Sequence, residues 1–429
     1  MRRRRHFVRV LRLSQDYRRK IIFIAGGIGA GLAASIFAVL ADKAQALFGL
    51  MTGHVSWSAY VAAPIGFVIL AYATQRYAPM ARGSGIPQGI AALQVKDDNA
   101  VDRLLSLPVA AAKILLTLLA LACGASVGRE GPTVQIAASV MVSLRRLVNV
   151  DKNALILGGS AAGIAAAFNA PLAGIVFSIE ELSRSFESRT SALVLTTTII
   201  AGLTATAISG NYTYFGFATG ELVSVVDWAA LIAIAVAGGM LGGGFSRFVI
   251  SFYASRRWQD MVLRNRYPLL FAFGCGVVTA LCGYFSGGMT FGAGYAQAYT
   301  IIHENAVAPL YYVPLKIIAT TAATVSGIAG GLFAPSLSIG AGVGSAVAQV
   351  FSVSNVGLFA LFGMAAYLTG VLQSPITSVV IMAEMTDNPR MVVPLMACAL
   401  IADQVSKLVC KQSLYHSLAR GFVPEKAET

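Results

Sequence analysis

The chain has 429 residues, of which 56% are hydrophobic and only 12% charged, where an ordinary soluble domain carries about a quarter charged residues. That composition excludes an ordinary soluble protein and points to a polytopic membrane protein. The formal net charge of +13 raises nucleic acid or anionic lipid as partners, and where the charge sits along the chain decides between them.

The first twenty residues, "MRRRRHFVRVLRLSQDYRRK", hold nine of the 32 Lys and Arg residues and one acid. Set directly against a long apolar segment, this run reads as a positive-inside signal or a contact with anionic lipid. Residues 1–20 are therefore expected to stay in the cytoplasm, and no nucleic-acid partner is implied. The apolar stretch from Ile21 exceeds the h-region of a cleaved signal peptide. Apolar segments recur at 21–41, 58–74, 104–123, 191–209, 228–246, 268–285, 334–351 and 391–402, several of them approaching the roughly 20 residues that cross a bilayer as a helix. Shorter, glycine-interrupted pieces at 154–168 and 171–179 point to tilted, broken or re-entrant helices. The cysteines at 123, 275, 282, 398 and 410 form no C-x-x-C pair and read as small core residues, with no metal or cofactor implied. A transport domain is expected over 21–410, followed by a tail, 411–429, too short for a soluble regulatory domain.

The chain repeats itself. "KILLTLLALACGASVGREGPTVQIAASV" from Lys113 aligns with "KIIATTAATVSGIAGGLFAPSLSIGAGV" from Lys316, placing Gly128 over Gly331 and Pro132 over Pro335 at one offset of 203. "NAPLAGIVFSIEEL" from Asn169 then reads against "QSPITSVVIMAEMT" from Gln373, with Pro171 over Pro375 and Glu180 over Glu384 at an offset of 204. A period this long is no solenoid. It suggests two halves, about 21–210 and 228–410, with a site made of discontinuous helices where they meet. These residues leave parallel and inverted arrangements open.

Three segments share a grammar: "GSGIP" at 83–87, "GREGP" at 128–132 and "GLFAP" at 331–335. Proline suits the first helical turn, and glycine before it lets the backbone turn tightly and approach a ligand. Each therefore reads as a helix N-terminus, where the first N–H groups lack intrahelical partners and carry about half a positive charge. In lipid such groups cannot be left bare, and a small anion would satisfy them without the grip of a full cation. Any one motif alone is ordinary loop punctuation; three of them, two at equivalent places in a repeat, favour a site.

These residues resemble the CLC family of chloride channels and chloride/proton antiporters. "GSGIP", "GREGP" and "GLFAP" match its three anion-site signatures in order, "FSIEEL" and "AEMTDN" match its flanking segments, and the likeness runs from about residue 20 to about 420. The resemblance implies an all-α polytopic membrane protein with a CLC-like duplicated, inverted repeat of tilted and broken helices. It further implies a homodimer in the cell inner membrane that exchanges chloride for protons without a cofactor. By the same resemblance, Ser84 and Tyr415 coordinate a central chloride with the backbone N–H groups of Leu332 and Phe333, beside Gly131. Glu130 becomes the gating glutamate and Glu181 the inner proton-transfer glutamate.

Physical reasoning agrees with the role of Glu130. A carboxylate aimed at a helix N-terminus is a tethered anion; burial disfavours its charge and amide donors favour it. Blander readings stand beside each residue: Ser84 as a helix cap, Tyr415 as an interfacial anchor, Arg129 as a structural partner of a carboxylate or carbonyls. Lys113 and Lys316, equivalent in the two halves, read as scaffold residues, and Glu180, which has a repeat counterpart, as more structural than Glu181. Gln88 and Ile90 stand where relatives often carry carboxylates, and no proline precedes Tyr415. The close alternative is a passive voltage- or pH-gated chloride channel. An intramembrane hydrolase would need a base beside a serine, and His6, His54, His303 and His416 are badly placed for that. A cation transporter would need carboxylates facing a cavity.

Overall fold

The computed structural model describes residues 2–55, 57–147, 150–183, 188–210, 215, 221–261, 264–386 and 388–423, with the backbone alone at 2–16, 188–191, 258, 261 and 389. The side chains of the arginine-rich start and the end of the tail, residues 424–429, lie outside the described residues. What is described is helical, with isolated two-residue bridges between loops. Among the described residues, eight helices are long and apolar enough to cross a membrane: Tyr17–His54, Ser58–Tyr77, Asp98–Ala122, Ala192–Ser209, Val225–Ala254, Pro268–Phe285, Phe333–Val350 and Val392–Val409. They coincide with the eight apolar segments read from the sequence. Their outer faces carry residues such as Ile36, Ile69, Leu203 and Leu281, each more than half exposed or close to it, apolar surface that is costly to leave in water.

At the centre lies Val356–Leu372, a helix the sequence reading did not single out, buried at every position. It packs on Phe333–Val350 through small residues: a Cβ on Gly340 would meet Gly363 and Met364. On its other side, a Cβ on Gly242 would come 2.7 Å from the Gly370 backbone. Small residues let helix backbones approach closely where lipid provides no hydrophobic drive between helices.

The two halves are tied together by reciprocal contacts. Gly128 N donates to Gly331 O at 2.8 Å and Gly331 N to Gly128 O at 2.7 Å, so the two equivalent loops run antiparallel where they meet. Glu384 accepts from the Leu172 and Ala173 amides at 3.1 and 2.6 Å, and Glu180 accepts from Ile376 and Thr377 at the same two distances. Each carboxylate thus caps the helix that begins with the other half's proline, Pro171 or Pro375, satisfying first-turn amides that would otherwise face an apolar interior. Such an exchange requires a pseudo-two-fold relation between the halves. Helices Glu130–Ser143 and Phe333–Val350 each begin next to the antiparallel pairing of Gly128 and Gly331, which fits an inverted arrangement.

Candidate functional site

The "GSG" turn is shaped by its glycines, with φ of +64° at Gly83 and +109° at Gly85, values that favour glycine. Gly85 is the N-cap of helix Ile86–Gln94 and no side chain caps it. Ser84 is therefore not the cap that serine commonly forms. It is 6% exposed, and its Oγ packs against Gly131, where any Cβ would overlap it. Gly131 is thus the close-approach position that lets the first two signatures touch.

Lys113 is fully buried and donates to the carbonyls of Ala81 at 2.9 Å and Gly83 at 2.6 Å. The ammonium therefore fixes the turn through its backbone carbonyls. Gln88 Nε2 adds bonds to Met80 O at 3.0 Å and Arg82 O at 2.7 Å, a structural role.

Tyr415 sits on the short helix Leu414–Ala419 and is 0% exposed, so it is an interior residue and not an interfacial anchor. Its phenol stands beside the Ser84 hydroxyl and in electrostatic range of both Glu130 and Glu181. Neither the Ser84 nor the Tyr415 oxygen makes a well-formed hydrogen bond. Two buried hydroxyls paired only with each other still leave one donor without an acceptor, which costs free energy unless a ligand supplies one. The Tyr415 ring stacks on Phe333 with centroids 6.3 Å apart, and Phe333 opens the helix Phe333–Val350 with Leu332 as N-cap. The structure therefore brings Ser84, Gly131, Leu332, Phe333 and Tyr415 together.

Glu130 is fully buried at the start of helix Glu130–Ser143. Its Oε2 accepts from the Ala334 amide at 3.4 Å, so the carboxylate lies at the N-terminus of the Phe333 helix. Its Oε1 accepts from the phenol of Tyr295. Arg129 Nε is 3.9 Å from that oxygen, while its guanidinium bonds Asp42 and the Ala38 carbonyl, each at 2.6 Å. The neighbouring cation bonds Asp42 and Ala38 closely and Glu130 only at long range, so the Ala334 amide and the Tyr295 phenol are the hydrogen-bond donors on the glutamate.

Glu181 is 1% exposed, within a π-helical turn, Ser178–Ser183, that turns its side chain inward. Its carboxylate accepts from Ser374 Oγ at 2.6 Å and Ser413 Oγ at 3.4 Å, and its carbonyl lies 2.7 Å from His416 Nε2. Adjacent Glu180 is the helix cap described above, as its repeat counterpart implied. A cavity of about 500 Å³ leads to Ser84 and Leu332, with Arg82, Arg264 and Arg420 in its walls. Three guanidinium groups around one concavity favour entry of anions. His54 bonds the Leu50 carbonyl, His303 the Phe215 carbonyl and His416 the Glu181 carbonyl, so none of these three is set as a base on a serine.

Sequence reasoning missed Tyr295. It follows "GAG" at 292–294, where Gly292 and Gly294 repeat the positive φ of Gly83 and Gly85 at +64° and +87°, and Lys316 holds this turn as Lys113 holds the first. The signal was a second G-x-G, hidden because the offset there is 209 and no proline follows.

A family model described as the voltage gated chloride channel matches residues 65–407. The H(+)/Cl(-) exchange transporter ClcA of Yersinia pseudotuberculosis is 30% identical over 424 residues, covering 91% of this chain and 85% of that one. The protein of the same name from Cronobacter sakazakii is 30% identical over 435 residues, covering 94% and 89%. Among solved structures, a slow cyanobacterial Cl-/H+ antiporter superposes with a TM-score of 0.81 at 23% identity, covering 95% of this chain and 99% of that one. A CLC-type fluoride/proton antiporter gives 0.76 at 21%, covering 91% and 96%.

Proposed function

The chain belongs to the voltage gated chloride channel family, and from that premise we propose that it exchanges chloride for protons as a homodimer of the cell inner membrane. Each subunit holds a complete pathway, and the N-terminus lies in the cytoplasm. The observation that carries the proposal is the seat of Glu130: a buried carboxylate on the Ala334 amide, at the start of a helix whose preceding amides lie beside the unsatisfied hydroxyls of Ser84 and Tyr415.

A chloride at the centre takes hydrogen bonds from Ser84 Oγ, Tyr415 OH and the amides of Leu332 and Phe333, with Gly131 leaving room beside it. The helix end supplies positive potential and no full cation competes for the ion, so release stays fast. Ionised, Glu130 occupies the neighbouring seat as a tethered anion. Protonated, it loses its attraction for the amides and leaves, and a chloride takes its place. Occupancy and protonation are thereby linked, and linkage works in both directions. Glu181, buried but joined to the two serine hydroxyls, is the inner acceptor that passes protons between the cytoplasmic side and Glu130.

Relatives of this chain include a fluoride/proton antiporter, and the Ser84 and Tyr415 pair favours chloride. A passive channel would share the anion site; the buried position of Glu181 favours exchange. The test is a liposome flux assay in which a chloride gradient is imposed and external pH followed. Protons driven uphill support exchange; chloride flux with no uphill proton movement rejects it in favour of the channel.

A further inference from the structure

Tyr295 reaches the gating carboxylate from a loop held on several sides. Lys316 Nζ donates to the carbonyls of Thr290 at 2.9 Å and Gly292 at 2.8 Å. Ser338 Oγ donates to Gly294 O at 2.9 Å and is itself bonded to the Tyr312 phenol. Gly294 then caps helix Tyr295–His303 in a left-handed conformation. The ring of Tyr295 lies 6.2 Å from Phe215 and 6.0 Å from the Arg129 guanidinium. Its hydroxyl is therefore a pre-placed donor, and it meets Glu130 Oε1.

The equivalent turn in the first half reads Gly83-Ser84-Gly85-Ile86, against Gly292-Ala293-Gly294-Tyr295 in the second. Each turn carries one hydroxyl, at different places. That of Ser84 is left open; that of Tyr295 is spent on a carboxylate.

The geometry points to Tyr295 as a positioning residue for Glu130, whose phenol holds the carboxylate in its seat and so sets how readily that seat passes to an anion. This rests on the exchange reading above. A hydrogen bond to an ionised carboxylate is stronger than one to its neutral form, so the phenol favours the seated, charged state over the protonated, departed one. Chloride then enters the seat beside Ala334 only in the fraction of molecules whose seat is open, and its apparent affinity for that seat falls by that fraction. The charged and titratable groups facing this carboxylate are Arg129, with Asp42 behind it, and the phenols of Tyr295 and Tyr415. Replacing Tyr295 by phenylalanine removes one hydroxyl and leaves the others in place.

The experiment is chloride calorimetry on the purified protein and chloride turnover in proteoliposomes as a function of pH, for wild type, Tyr295→Phe, Glu130→Gln and the double variant. Tyr295→Phe is expected to bind chloride about five- to tenfold tighter, the effect of losing one charge-assisted bond from a competitor. Its turnover should rise at a higher pH on acidification than that of wild type. Both changes should vanish when Glu130 is glutamine, since coupled residues fail additivity in a double-mutant cycle. Unchanged affinity and pH profile in Tyr295→Phe would overturn the assignment, as would changes of equal size in the Glu130→Gln background. Absence of uphill proton movement in the wild type would refute the exchange reading, and retained coupling in Glu130→Gln would remove Glu130 from the gating role, while the affinity comparison still decides whether Tyr295 acts on the Glu130 seat.

Discussion

The two halves of the molecule are alike where the backbone must be held and unlike where ions are expected to bind. Lys113 and Lys316 are both fully buried on carbonyls of a glycine turn; Glu180 and Glu384 cap each other's helices at matching distances. At the same offsets, however, Glu130 stands against Phe333 and Glu181 against Met385, and in the paired glycine turns Ser84 stands against Ala293. Duplication therefore supplied a scaffold with two equivalent crevices of helix ends. The first half carries Glu130 and Glu181, while the second presents the Ala334 amide and the Tyr295 phenol to Glu130. A pathway that trades an anion for a proton needs that asymmetry, because two carboxylates seated on both helix ends would leave no amide for the anion.

Ways to break this comparison begin with the scaffold. Lys113→Met and Lys316→Met each strand two or more buried carbonyls, at about 1–3 kcal/mol apiece, and both should lower thermal stability of the purified protein by a similar large amount. Tolerance of one but not the other would show that the halves are not held alike. Next come the unlike positions. Glu130→Gln should abolish uphill proton movement in liposomes while chloride still passes, and Glu181→Gln should do the same with the fold intact. Normal coupling in either variant would remove that residue from the proton path.

The adjacent glutamates sharpen the contrast. Glu180→Gln and Glu384→Gln should each cost about 1–2 kcal/mol of stability through a weakened cap, measured by thermal unfolding, and leave proton coupling unchanged. Loss of coupling in Glu180→Gln would contradict its structural role. The smallest effect is expected at the paired turns: Ser84→Ala should weaken chloride binding about three- to tenfold, the loss of one hydrogen bond, whereas Ala293→Ser should leave calorimetric affinity as it was.

Much of this was legible in the sequence because glycine, proline and buried charge mark backbone events directly. The three signatures located the helix ends, the apolar segments located the spans, and the repeat separated Glu180 from Glu181. Val356–Leu372 went unremarked because interior helices are apolar all round and show no amphipathic stripe. Tyr295 was invisible for a different reason. Its partner lies 165 residues away, its turn lacks proline, and the longer offset broke the gapless alignment. Distance along the chain conceals contacts that only three-dimensional packing creates.

The central claim is that helix N-termini cradle a halide in a place an acidic side chain also fills. Anomalous diffraction from bromide-soaked crystals of wild type and Glu130→Gln tests it most directly. The account predicts a bromide peak among Ser84, Phe333 and Tyr415 in both, and a second peak near the Ala334 amide that is stronger in Glu130→Gln. Crystals of either protein without a peak beside Ser84 and Tyr415 would contradict it.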